Sequence, residues 1–304
     1  MNPIITKILY ALLTVFIIWN IGMVLNGFTR KVYARVNKRY GIRIYQPYID
    51  LIKNYSLDTL VYHGVMYYLG PIFRLTSGVG MVLFIPLIYG SEIFSNFSFA
   101  GDAILILYFM FFGTLGMALG SNETGQPYST IGVARGLAQV TAAEVPLVLA
   151  FLSVFIQNQS LSISEIVSVQ QGGFMHWTMW TNPMATATAM LAYLGSMMRS
   201  PFDVVLAPQE IPIGPPTEYH GSFLAILSTN RPIFAVAKTI LFVNMFFGGA
   251  TNWGMFILKA TTLYMWSVVT GTIYPRFRVD QSIRFFLKVP LIMGLLSILL
   301  LQFM

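Results

Sequence analysis

The sequence predicts an all-α polytopic integral membrane protein of about eight transmembrane helices, and three observations predict it. Of its 304 residues 56% are hydrophobic and only 10% charged, whereas an ordinary soluble domain carries about 25% charge. Apolar runs recur that match the roughly 20 residues needed to cross a hydrocarbon core. Lys and Arg gather in every second interval between those runs, the pattern expected of loops that stay cytoplasmic.

The runs lie near Ile4 to Phe28, Met66 to Tyr89, Ala103 to Leu119, Val140 to Ile156, Met184 to Met198, Ile233 to Gly249, Gly254 to Tyr274 and Phe285 to Met304. The first has no small-residue cleavage pattern and outlasts a signal core, so it reads as a retained span. The fifth is short and rich in small residues (Ala185, Ala187, Ala189, Ala192, Gly195), which suits a helix packed inside a bundle. Arg30, Lys31, Arg35, Lys38, Arg39, Arg43 and Lys53 follow span one; Arg135 follows span three; Arg199 and Arg231 follow span five; Arg276, Arg278, Arg284 and Lys288 follow span seven. The intervening stretches Glu92 to Asp102, Gln157 to Pro183 and Gly249 to Trp253 contain neither Lys nor Arg. This alternation puts both termini on the outer side. No repeat or linker divides the chain, so a single integral domain over 1–304 is expected, its polar material held in two cytoplasmic loops at about 29–62 and 199–232. In the second, Pro201, Pro208, Pro212, Pro215, Pro216 and Pro232 argue against a long regular helix.

Composition excludes several chemistries. With no cysteine the chain can form neither disulfides nor thiolate-held zinc or iron–sulfur centres. His63, His176 and His220 are scattered and read as ordinary polar residues. No phosphate loop, HExxH, catalytic triad or EF-hand pattern occurs. The net charge of +7 is accounted for by topology, and nucleic acid is not an expected partner.

Charges within spans are costly and need a partner, a wet cavity or a route to the interface. Lys7 is near enough to a span end to snorkel. Arg74 lies deep in span two after Gly70-Pro71, which leaves a functional cavity and a structural role both open. Glu144, in Ala142-Ala143-Glu144-Val145-Pro146, has small neighbours that admit another helix and a proline that frees a carbonyl; it is the leading candidate for an intramembrane proton relay, with structural hydrogen bonding as the alternative. Of Lys238 and Lys259, one suits a charged axis across the bundle and the other a snorkelling side chain. Asp203, Glu210 and Glu218, in the proline-rich loop beside Arg199, either line a funnel toward Glu144 or form surface salt bridges.

Four segments carry a recognisable pattern: RKVYARVNKRYGIRIYQPYIDLIK (Arg30 to Lys53), with an arginine-rich turn, a Gln-Pro pair and an amphipathic helix; SPFDVVLAPQEIPIGPPTEYHG (Ser200 to Gly221), with Pro-Phe-Asp and spaced glutamates; YPRFRVDQ (Tyr274 to Gln281), before the last span; and YSTIGVARGLAQVTAAE (Tyr128 to Glu144), which leads to the intramembrane glutamate. Together they resemble the NADH dehydrogenase subunit 1 family, the membrane heel of respiratory complex I, and particularly its shorter relatives in group 4 membrane-bound nickel–iron hydrogenases, formate hydrogenlyase and related sulfane sulfur reductases.

The resemblance implies a junction subunit in a prokaryotic cell membrane with no redox centre of its own. It implies a hydrogenase-like large subunit and a [4Fe-4S] small subunit on the cytoplasmic side, with [NiFe] and [4Fe-4S] centres in those partners, and antiporter-like subunits in the membrane. Carried over residue by residue, Glu144, Asp203, Glu210 and Glu218, with Arg74 and Lys238, become the candidate proton or ion pathway. Arg35, Arg39, Arg43, Tyr45, Gln46, Arg276 and Arg278 become the docking surface. The stretch from Arg39 to Pro47 lacks the longer Gly-Pro-Asn insertion of quinone-reducing members, which favours the hydrogenase branch. Ser196, Leu206 and Pro208 stand where many relatives have further glutamates, so the funnel is thinner here. A quinone or sulfane sulfur reductase subunit is the alternative within the superfamily; a standalone secondary transporter and a passive anchor are the alternatives outside it.

Overall fold

The computed structural model describes residues 3–58, 63–205 and 214–302, and all regular structure among them is helical. Eleven α-helices follow in order: α1 (Pro3–Val36), α2 (Gln46–Tyr55), α3 (Val65–Phe84), α4 (Asp102–Asn122), α5 (Pro127–Asn158), α6 (Ile163–Val169), α7 (Thr178–Thr181), α8 (Pro183–Ser196), α9 (Gly221–Phe246), α10 (Trp253–Ile273) and α11 (Val279–Leu301), with a single 3₁₀ turn at Phe174–His176. Five of them, α1, α4, α5, α9 and α11, are long and apolar enough to cross a membrane. The other three expected runs fall on α3, α8 and α10, of which α8 has only 14 residues.

Helix ends depart from the sequence reading in two informative places. α1 runs on to Val36, so Arg30, Lys31 and Arg35 sit on its last turns and not in a loop. α9 begins at Gly221 and contains Pro232, a residue expected to forbid helix. A proline in a membrane helix is tolerated where neighbouring helices accommodate the backbone it frees. α1 passes close by here: a Cβ on Gly22 would lie 2.7 Å from the Pro232 carbonyl oxygen, so the contact needs a glycine.

The chain gathers into two compact units, one comprising 1–83, 106–137 and 205–237 and the other 84–105, 138–204 and 238–304. In the first, α3 and α4 meet through small residues: a Cβ on Gly116 would strike Phe73, and Ser77 Oγ donates to the Phe109 carbonyl at 2.6 Å. Such contacts let backbones approach where lipid supplies no hydrophobic drive. The amphipathic α2 lies against α1, with Leu51 buried beside Met23 and Ala225, and Trp19 and Tyr48 packed on that cluster.

In the second unit α8 is the central element. Ala185, Ala189, Ala192 and Tyr193 are fully buried, as its small-residue composition led us to expect. Asn182 caps it, accepting from the Ala185 N–H at 3.1 Å, and α11 packs along it. Asp102, the first residue of α4, reaches instead to the start of α6, its carboxylate accepting from the Ile163 N–H at 2.8 Å and from the Ser98 hydroxyl at 2.6 Å.

Candidate functional site

The first unit holds the basic, arginine-rich segment. Arg35 lies 4.9 Å from the Tyr40 ring centre, and Arg43 donates to the Tyr45 hydroxyl at 2.5 Å. Arg39, Arg43 and Tyr45 are exposed, as is Arg35 on the last turn of α1, which leaves the segment open to a docking partner. Gln46 donates to Asp50 at 3.0 Å, and Arg30 closes an ion pair with the same carboxylate at 2.9 Å. Partial burial works to raise the Asp50 pKa, but the hydrogen bonds from Gln46 and Arg30 and the charges of Arg30 and Lys53 outweigh it and hold the carboxyl below its ordinary value. Tyr48 anchors α2 to α1, its hydroxyl donating to Asn20 Oδ1 at 3.1 Å.

Glu218 stands in the same unit, shortly before α9. Its carboxylate accepts from Gln126 at 3.1 Å, and its backbone carbonyl accepts from the Tyr67 hydroxyl at 3.0 Å. Tyr219 stacks on Tyr67 with ring centres 4.6 Å apart and planes 7° from parallel, and its hydroxyl donates back to the Tyr67 carbonyl at 3.2 Å. Burial, reinforced by Tyr67, pushes the Tyr219 phenol above its ordinary value, so it stays a neutral donor. Ser129 ties Pro215 into this arrangement, its hydroxyl lying 3.1 Å from that residue's carbonyl and 2.9 Å from the carbonyl of Ser121. Arg74, half-buried on α3, lies over the Phe234 ring at 4.5 Å; an aromatic face offsets part of the cost of holding a guanidinium there.

The second unit holds Glu144, Asp203 and Lys238. The Pro-Phe-Asp segment is clamped by three separate interactions. Phe202 is buried among Ala142, Ala143, Leu194 and Phe286, its carbonyl accepts from Gln139 Nε2 at 2.5 Å, and the Pro201 carbonyl accepts from the Phe277 N–H at 2.9 Å. Asp203 is thereby presented to Arg276 and pairs with it at 3.2 Å. The Ser200–Pro201 peptide is cis. Glu144 is half-buried on α5, directly after Ala142 and Ala143. A Cβ added to Gly195 would lie 2.8 Å from that of Ala143, so α5 and α8 are in close contact one residue before the glutamate.

Lys238 is 4% exposed, and its ammonium donates to the Ser196 carbonyl at 2.6 Å. Next to it Thr239 shares a hydrogen bond of 2.9 Å with the buried Tyr193 hydroxyl. Arg199 lies over the Tyr264 ring at 4.2 Å, donates to the Tyr264 hydroxyl, and reaches Ser267 Oγ at 3.1 Å. Lys238 and Lys259 thus differ in their surroundings: Lys238 is sequestered, whereas the partly exposed Lys259 is held by the carbonyls of Phe247 and Gly249.

The structure therefore brings Asp203 and Arg276 into one ion pair and puts Glu144 and Lys238 in the same unit as that pair. Glu218 and Arg74 belong to the other unit, and Glu210 lies outside the described residues. Arg276 has an internal partner, while Arg278 stands just before α11, its N–H donating to Gln281 Oε1 at 3.2 Å. Sequence reasoning missed Tyr67, Tyr193, Tyr219, Tyr264, Gln126 and Thr239, because a neutral polar group on an aromatic or small side chain looks like core or belt until its partner is visible. Among the described residues no cluster of three or more His, Asp or Glu could hold a metal.

Comparison with known proteins gives this arrangement a context. The H subunit of the NADH-quinone oxidoreductase of Protochlamydia amoebophila is 29% identical, covering 89% of each chain. Its counterpart in Carboxydothermus hydrogenoformans is 29% identical over 99% of this chain and 91% of that one. Among solved structures, a chain of the membrane-bound sulfane sulfur reductase, an archaeal respiratory membrane complex, superposes with a TM-score of 0.88 at 30% identity, covering 97% of this chain and 99% of that chain. The family model for NADH dehydrogenase matches residues 8–302, nearly the whole length, and the chain therefore belongs to the NADH dehydrogenase family together with the quinone oxidoreductase subunits it resembles.

Proposed function

We propose that this protein is the junction subunit in the membrane arm of a complex I-like respiratory complex whose peripheral arm reduces sulfane sulfur. One observation carries the reading: the near end-to-end superposition, at a TM-score of 0.88, on a chain of the membrane-bound sulfane sulfur reductase. It favours the sulfur-reducing arm over the nickel–iron hydrogenase that the sequence put first. The short Arg39 to Pro47 stretch, without the insertion of quinone-reducing members, agrees with either of these against quinone.

In this reading Arg35, Arg39, Arg43 and Tyr45 seat a peripheral large subunit and a small subunit carrying [4Fe-4S], and antiporter-like subunits adjoin in the membrane. All eight apolar runs span, with both termini outside. The chain has no cysteine, so every thiolate-held redox centre belongs to a partner. Its own contribution is protonic: Glu144 takes up and releases a proton in the bundle, the Asp203–Arg276 pair and Lys238 bias that equilibrium, and peripheral turnover shifts it. Purified with its partners, the complex is expected to reduce an organic polysulfane and to evolve no hydrogen. Hydrogen evolution would restore the nickel–iron arm, and quinone-dependent turnover would point to a quinone reductase.

A further inference from the structure

A cavity of about 340 Å³ opens in the second unit between the α9–α10 turn and the segment around the 3₁₀ turn. Its wall combines Lys259 and Trp177 with Met255, Gln171 and the backbone of Gly172 and Gly173, which adopt φ of +114° and +147°. The Lys259 ammonium donates to the carbonyls of Phe247 and Gly249, 2.7 Å each, and lies 4.0 Å from the Trp177 ring centre. An ammonium has three N–H donors, so one is left for an acceptor in the cavity. No carboxylate among the described residues pairs with it, and the site carries an uncompensated positive charge.

Two features say what kind of anion completes it. Phe174, Met175 and Trp180 are exposed around the mouth, as aromatic and apolar side chains are at the headgroup level of a bilayer. From the cavity, Met255, Leu258, Thr262 and Trp266 run down one exposed face of α10 at helical spacing, a track for a hydrocarbon chain. A charged head bound next to an apolar track is the signature of an amphiphile.

We propose that the cavity seats the phosphate headgroup of an anionic membrane lipid, with Lys259 as its cation and the Met255–Trp266 face of α10 as the bed of one acyl chain. The test uses the purified complex, delipidated in neutral detergent and re-exposed to vesicles of phosphatidylglycerol or of phosphatidylcholine, with lipid retention read by native mass spectrometry. Wild type and K259R are expected to retain phosphatidylglycerol, and K259Q to bind it about fivefold more weakly, the factor for one lysine at an anionic surface. Equal retention by K259Q, or equal retention of phosphatidylcholine by wild type, overturns the proposal. So does displacement of the lipid by millimolar inorganic phosphate, which would assign the cavity to the free anion. Should K259Q fail to assemble, photoreactive phosphatidylglycerol is crosslinked to wild type instead. Adducts on Met255 or Trp177 support the site, and adducts confined to other helices overturn it.

Discussion

Asp203 and Arg276 meet at 3.2 Å, each with 23% of its side chain exposed, and so join the loop motif that follows α8 to the one that precedes α11. Removing one partner leaves the other charge largely desolvated. Asp203→Asn is expected to destabilise the assembled protein by about 1–3 kcal/mol, the partial exposure placing it below the cost for a fully buried pair. Thermal unfolding of the purified complex checks this. The double variant D203N/R276Q should recover part of the loss, and a double variant as unstable as the sum of the two singles would deny the pairing.

Helices approach closely beside Glu144. A Cβ on Gly195 would lie 2.5 Å from the Phe286 ring and 2.8 Å from Ala143. Gly195→Val should therefore cost about 1–3 kcal/mol through overpacking, seen as a lower unfolding temperature of the complex, with Gly195→Ala milder. An unchanged midpoint for the valine variant would mean that α5, α8 and α11 are not packed as described.

The α2 anchor has a defined pH dependence. Because the folded-state pKa of Asp50 is depressed, its contribution is present above the unfolded value of about 3.9 and fades as pH falls through the folded value. Amide hydrogen exchange in α2 should thus be unaltered between about pH 8 and pH 5 apart from intrinsic chemistry, and should accelerate only below about pH 4. Asp50→Asn should remove that acid step while exchanging faster at neutral pH. With Asp50 and Arg30 nearly half exposed, the effect is expected to be small.

Lys238 offers a sharper functional test. Its ammonium is buried and held by the Ser196 carbonyl, a costly arrangement that a passive span has no reason to keep. Lys238→Met should leave partner assembly and electron transfer intact, lose about 1 kcal/mol of stability from the orphaned carbonyl, and lower ion translocation severalfold in proteoliposomes. Full translocation would make the lysine structural.

The helices were legible because lipid imposes a single demand, an apolar run of sufficient length; each run falls on a helix, and five of those helices are long and apolar enough to cross a membrane. Ends were less legible. Nothing in Arg30 to Val36 distinguishes the end of a helix from a loop, and Pro232 lies inside α9 against Gly22, a neighbour far away in sequence. Among the candidate residues, Glu144, Lys238 and Arg74 stood out as charges in apolar sequence, a signal of energetic cost. The Tyr67–Tyr219 stack and the Tyr193–Thr239 hydrogen bond carry no such signal, since their residues are ordinary until folding pairs them.

The central claim is that Glu144 couples turnover of a peripheral redox arm to ion movement across the membrane. It is tested most directly by measuring substrate reduction and ion translocation side by side in proteoliposomes of the complex carrying Glu144→Gln. The expected result is an assembled complex that still reduces its substrate while translocation collapses; translocation at the wild-type ratio of ions to electrons would contradict it.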